Sequence, residues 1–200
     1  MSFYSYDRNF TNIIHDEVAI KEIYNLLGWK MYPMDMEKLN KLDLENGIDY
    51  VLTDSRGRKI FVQERFREYK YHHYTDVTLR YRRDHNKDIH NHESEFYKIK
   101  ANYLVYGIIN GSKQQAINHS KEINFVKFAV VDLDVLFKHL KKGDIVLDSK
   151  IGRPIIRNGK LFSPINENTD YSSNFVAFDV QMLDELFGDE DIILFQKGFY

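Results

Sequence analysis

The sequence predicts an α/β protein, a mixed sheet flanked by helices, with a C-terminal α+β extension. Three observations predict it. The periodicity of apolar residues switches along the first hundred positions in the order helix, hairpin, strand, helix, strand, which spells a layered α/β arrangement. The chain has 200 residues, of which 43% are hydrophobic, enough for one sizeable core. Three prolines and ten glycines leave no room for a long linker or a low-complexity segment. The predicted division is a core over 1–118 and a strand and helix extension over 119–200 packed on it.

The elements follow from local pattern. Asp16 to Leu27 reads as a helix, with apolar residues at 20, 23, 24 and 27 and Gly28 as its stop. Residues 30–46 are polar and read as a loop with a short helical turn. Two strand-like runs, 48–53 and 59–67, flank "DSRGR", with Asp54 first and Gly57 fourth, the signature of a type I turn with a glycine bulge. "TDVTLRY" (75–81) alternates and predicts a third strand. "SEFYKIKANY" (94–103) carries a helical stripe of Phe96, Ile99 and Tyr103 and runs into the buried strand "YLVYGII". In the extension, "FAVVDLDVL" (128–136) and "FVAFDVQML" (175–183) each read as a strand ended by an aspartate, Asp132 or Asp179, that caps a short helix. "DIVL" (144–147) and "DIIL" (191–194) repeat at the same offset, as a duplicated unit or as two uses of a common pattern.

Composition narrows the chemistry. The absence of Cys excludes disulfides, thiolate metal sites and cysteine nucleophiles. No apolar run approaches the length of a membrane span, and the N-terminal ten residues lack the apolar centre of a signal peptide, so a cytoplasmic protein away from membranes is expected. No glycine-rich phosphate loop and no Gly-x-Ser-x-Gly elbow is present, which leaves nucleotide hydrolysis and serine hydrolase chemistry without a foothold. The formal net charge of -2 hides a segregation. Residues 56–87 hold ten Lys/Arg against four Asp/Glu, and residues 166–200 hold eight acids against one Lys. A basic, aromatic-rich middle suits a polyanion, and the acidic end suits either a partner's basic surface or a cover over that middle.

The hairpin carries charge where a core hairpin would carry apolar side chains. The turn pairs Asp54 with Arg58, so Leu52 faces Ile60, Val51 faces Phe61 and Asp49 faces Gln63, with Arg65 on the Asp49 face. Glu64 then points the other way with Ile60, Val62 and Phe66. A slip of one residue would instead put Glu64 beside Asp49. In the first helix, Glu17 precedes Ile20, Tyr24 and Leu27 at helical spacing, which turns it inward; the alternative is that it complements the helix dipole at the edge of the stripe. One acid from a helix, one from a strand and a polar–x–basic pair on the next strand form a donor set for a hard divalent ion. Mg2+ (or Mn2+) would take Asp49 as its central ligand, with Glu17 and the Gln63 amide oxygen. The alternative for the hairpin is a plain Asp49–Arg65 salt bridge.

"GIDYVL…KIFVQER", followed by "DVTLRYRR" and "SEFYKIKANYLVYGII", resembles the PD-(D/E)XK nuclease superfamily over roughly residues 10–112. The resemblance implies a restriction-endonuclease-like fold, with Glu17 as the helix acid, Asp49 as the strand Asp, Gln63 in the place of the second acid and Arg65 in the place of the Lys. Gln and Arg depart from the family's pattern: a neutral amide binds metal less well, and Arg cannot serve as a base near neutral pH. Glu64 is the acid that a slipped or bulged strand would bring in.

Beside the hairpin, "RFREYKYHHYTDVTLRYRRDHNK" interleaves cations with aromatic rings, a composition that neutralises phosphates and stacks on bases. Arg67, Lys70, Arg80, Arg82 and Arg83 are the candidate phosphate contacts. "DHNKDIHNHE" clusters His85, His90 and His92 with Asp84, Asp88 and Glu93, but without Cys or a scaffold it is read as a polar loop rather than a zinc site. The function expected is metal-dependent hydrolysis of DNA phosphodiesters, with a homodimer as the form suited to cutting two strands. The alternatives are a catalytically inactive nucleic-acid-binding protein on the same fold, and a protein-interaction or inhibitor protein acting through its acidic C-terminal segment.

Overall fold

Phe10, Ile14, Val18, Ala19, Ile23 and Tyr24 are all buried, and the helix that carries them opens the chain. In the computed structural model, which describes residues 3–82, 95–168 and 173–200, this helix runs without a break through α1 (Phe3–Ile14), a π-helical stretch (His15–Tyr24) and α2 (Asn25–Leu27). Gly28 stops it in the left-handed conformation, φ 68°, as its sequence position predicts. The start differs from the prediction: the rod begins at Phe3 rather than Asp16. Its middle is wound with i→i+5 bonding, so buried positions recur at steps of four and five, His15, Ala19, Tyr24 and Ile14, Val18, Ile23.

After the two-residue strand β1 (Lys30–Met31) comes α3 (Met36–Asn46), where a mostly irregular segment was expected. Its ends are specified locally: the Asp35 side chain accepts the Lys38 N–H, and Gly47 closes the helix at φ 58°. Only Leu39 of this helix is buried, which is why its apolar pattern is faint. The hairpin of β2 (Tyr50–Thr53) and β3 (Lys59–Arg67) keeps the register the turn dictates, with Thr53, Leu52, Val51 and Tyr50 opposite Lys59, Ile60, Phe61 and Val62. Asp54 accepts the Arg56 and Arg58 N–H groups at 2.9 Å, and Gly57 takes φ 77°.

A 3₁₀ turn (Tyr69–Tyr71) leads to β4 (Asp76–Arg82), then α4 (Glu95–Lys98) and β5 (Tyr103–Ile109). The predicted helix 94–103 is cut to one turn because Asn102 is used elsewhere: its N–H bonds Phe61 O and its side chain accepts the Phe61 N–H. The remaining elements are α5 (Lys113–Ile117), β6 (Phe125–Asp132), α6 (Leu133–Lys142), β7 (Ile145–Asp148), β8 (Ile155–Arg157), β9 (Lys160–Glu167), β10 (Asn174–Asp179), α7 (Val180–Phe187) and β11 (Ile193–Lys197). Asp132 and Asp179 cap α6 and α7 as predicted, each accepting an N–H three residues on.

Two sheets result. The first has the order β1-β2-β3-β5-β6-β11, mixed because β3 and β5 run parallel. The second has the order β4-β10-β9-β7, with β8 also on β9. Side chains alternate across β5 to fill two cores. Val105 and Ile109 meet the N-terminal helix, whereas Leu104, Tyr106 and Ile108 meet the second sheet with α6 and α7. Gly107 lies between them because a Cβ there would stand 2.3 Å from the Phe125 ring. The mixed sheet flanked by helices is thus as expected. The division at 118/119 does not separate two layers: β6 and β11 complete the first sheet, and β4 from the first half edges the second. The expected third strand therefore leaves the hairpin's sheet.

Candidate functional site: a buried acidic centre and an exposed basic turn

Asp49 immediately precedes β2, and its carboxylate turns back into the protein. Its Oδ2 accepts the Glu64 N–H at 2.8 Å and the Gln63 amide N–H at 2.7 Å. Its Oδ1 accepts from Arg8 of α1 at 3.1 Å, and the same guanidinium nitrogen reaches Asp43 of α3 at 2.9 Å. The pairing of Asp49 with Gln63 is the one the hairpin register predicts. The guanidinium at Asp49 is that of Arg8, from a segment whose sequence offers no signal beyond a lone Arg in a polar run. Asp49 is 5% exposed, and burial together with the Asp43 charge pushes its carboxyl up to about 8, against the Glu64 N–H and Arg8.

Glu64 points to the opposite side, with Val62 and Phe66, under the helix. There the Tyr24 hydroxyl donates to its Oε1, and His15 Nδ1 approaches the same oxygen at 2.7 Å. The His15 ring stacks on Tyr50 at 3.5 Å, and the Tyr50 hydroxyl donates to Asn12. Burial and the Glu64 charge drive the Tyr24 hydroxyl well above its ordinary range. His15 Nε2, Glu64 Oε2 and the Gln63 amide oxygen are buried without a hydrogen-bond partner among the described residues. The π-helical winding places His15 and Tyr24 at this spot.

That winding also corrects the reading of Glu17. Spaced by the ordinary helical repeat it would face inward; here it lies two residues from both His15 and Ala19 on the outer side. Its side chain is 47% exposed and faces His119 at 3.3 Å. Helical spacing turned Ile23 and Tyr24 inward correctly but misplaced Glu17: the inward polar positions of this helix are Arg8, His15 and Tyr24. Arg65 is half-buried on β3, in register with Tyr106 of β5.

The structure does not gather the predicted donor set of Asp49, Glu17 and Gln63 around one point: Gln63 lies beside Asp49, and Glu17 lies on the outer side of the helix. A hard divalent ion such as Mg2+ takes oxygen ligands, usually one or two ionised carboxylates completed by waters and substrate phosphates. Both Asp49 oxygens take protein donors, Glu17 lies apart, and no group of three His, Asp or Glu suited to a metal occurs among the described residues. The Arg8 guanidinium bridges Asp43 and Asp49, the position a cation would take.

Of the basic residues, Lys70 and Arg82 are exposed and Arg67 and Arg80 half-buried. Arg67 donates to Thr78 of β4 at 3.3 Å, beside Asp76, whose carboxyl is pushed up to about 6 by burial and by the Asp179 charge. Lys70 is exposed and pairs with Glu68 at 2.8 Å. Arg80 is half-buried and Arg82 exposed on β4, which forms an edge of the second sheet. Arg83 and the histidine-rich stretch 84–93 lie outside the described residues. The acidic C-terminal segment is built into β10, α7 and β11. Within it, Asp179 caps α7, Asp184 accepts the Tyr200 hydroxyl and Glu190 pairs with Lys138. β10 pairs along the whole of β4, so that segment does cover one edge of the basic strand. Among the described residues, no helix is long and apolar enough to cross a membrane. Compared with known proteins, the chain matches no family model, no curated protein and no solved structure.

Proposed function

We propose that the protein binds nucleic acid without hydrolysing it, on a restriction-endonuclease-like arrangement whose acidic centre is neutralised from within. The arrangement is supported by the β2–β3 hairpin with Asp49 at its mouth and by β5 running parallel beside β3. The observation that carries the reading is that Asp49, the residue on which hydrolysis would centre, spends both oxygens on Arg8, Gln63 and the Glu64 N–H. Lys70 and Arg82 are exposed and Arg80 is half-buried, which supports contact with phosphates there.

The test combines binding and cleavage on plasmid, duplex and single-stranded DNA and on RNA, with Mg2+ or Mn2+ and with chelator. Binding that is indifferent to the metal, retained in Asp49→Ala and weakened in Arg80→Ala/Arg82→Ala is the expected result. Metal-dependent cleavage that disappears in Asp49→Ala would overturn it in favour of a nuclease.

A further inference from the structure

Residues 69–74, "YKYHHY", put five rings into six positions, and most of them face solvent. Tyr69 is 47% and Tyr74 48% exposed. The rings touch in series. Tyr69 and His72 are parallel within 4° at 4.3 Å, His72 meets His73 edge-on at 5.8 Å, His73 lies 4.1 Å from Tyr74, and Tyr74 lies 6.3 Å from Tyr71. Such a cluster contributes little to a core from outside it, and exposed aromatic groupings of this kind mark binding surfaces.

The turn is held in place from below. Tyr69 N–H bonds Gly111 O, Glu68 accepts the Lys113 N–H, and His72 and Tyr74 bond back to Tyr69 and Tyr71. The rings are therefore positioned before any ligand arrives, which lowers the entropy cost of binding. Cations surround them. The Arg67 guanidinium lies 5.4 Å and Lys70 Nζ 5.2 Å from the Tyr71 ring centre, and Lys127 of β6 donates to Tyr74 O at 3.1 Å.

We propose that this turn is a stacking platform for single-stranded nucleic acid, an inference that rests on the binding reading above and specifies its ligand. Unpaired bases offer free ring faces to Tyr69 and Tyr74, while their phosphates lie within reach of Arg67, Lys70 and Lys127. A duplex keeps its base faces stacked inside and offers these rings nothing along its length. Polyphosphate offers charge alone.

The test measures binding of a labelled oligothymidylate of about 16 nucleotides, a duplex and a polyphosphate by anisotropy, with wild type, Tyr69→Ala/Tyr74→Ala and Lys70→Ala/Lys127→Ala. The wild type should prefer the single strand over the duplex. The ring variant should lose about tenfold or more on the single strand and keep its duplex and polyphosphate affinity. The lysine variant should weaken on all three, more so at low salt. Tyr69, Tyr74 and Lys70 are exposed and Lys127 is half-buried, and an unchanged melting temperature checks the folding of both variants. Wild-type affinity for the single strand in the ring variant overturns the platform, and duplex binding that falls in Arg80→Ala/Arg82→Ala would show that the broader reading survives it. Absence of binding to any nucleic acid overturns both, and tight binding of a protein or glycan by the rings alone overturns the assignment of the ligand.

Discussion

The centre around Asp49 and Glu64, at the middle of β3, and the turn at 69–74, just beyond the end of that strand, handle polar groups in opposite ways. At the centre, the polar groups meet partners within the chain, Arg8 with Asp43 and Asp49 and Glu64 with His15 and Tyr24, and only single atoms of His15, Gln63 and Glu64 are left over among the described residues. At the turn, rings and cations are anchored through the backbone and present their side chains outward. The difference separates two roles that a polar residue plays. A buried network whose members bond mainly to one another fixes the fold and resists change, whereas exposed rings on an anchored turn are open to a ligand.

The largest effect that would break this contrast is at Glu64. Glu64→Ala strands His15 and Tyr24 in the helix core, and urea unfolding should show a loss of about 3–5 kcal/mol. A loss under about 1 kcal/mol would mean that the network is dispensable. Next comes the pH dependence of stability. A carboxyl raised from its ordinary value to about 8 holds its proton in the folded protein over a range where the unfolded chain has released it. Stability should therefore fall as pH rises between about 4 and 8, with a slope of up to about 1.4 kcal/mol per pH unit from this one group. Asp76, raised to about 6, adds to the lower part of that range, so the comparison is between wild type and Asp49→Asn, in which its share cancels. A flatter profile in Asp49→Asn is expected, and parallel profiles would show that Asp49 is ionised throughout. Smaller again, Tyr24→Phe removes one donor to Glu64 and should cost about 1–2 kcal/mol. Least of all, Tyr69→Ala and Tyr74→Ala should each shift stability by no more than about 0.5 kcal/mol, read from thermal melts. A larger loss would place those rings in the fold's support rather than in recognition.

What the sequence showed depended on how far apart the interacting groups lie. The hairpin register was legible because an Asp at the first position and a Gly at the fourth define one turn, and that turn sets Asp49 against Gln63. Gly28, Asp132 and Asp179 were legible for the same reason: a cap acts within four residues. Arg8 meets Asp49 across 41 positions, and no local pattern announces it. One polar position on the inward face of the first helix was misread because the spacing rule assumes i→i+4 bonding, and the i→i+5 winding exchanges Glu17 for His15. β4 alternates as a strand should, but alternation does not say which sheet it joins; its partner, β10, lies about a hundred residues on. The helix α3 was missed because it buries so little, although Asp35 and Gly47 mark both of its ends.

The interleaving of the two sheets has a consequence for how the chain comes to be folded. β4 waits for β10, and β6 gains its second neighbour only with β11. During synthesis the first 118 residues can form the hairpin and place β5 beside it, but they cannot close either core. The core under the N-terminal helix uses residues 10–130 and closes once β6 is made, whereas the other core waits for β10, α7 and Ile192. Such a chain should fold slowly for its size, and fragments ending before β10 should engage chaperones rather than persist as half a protein.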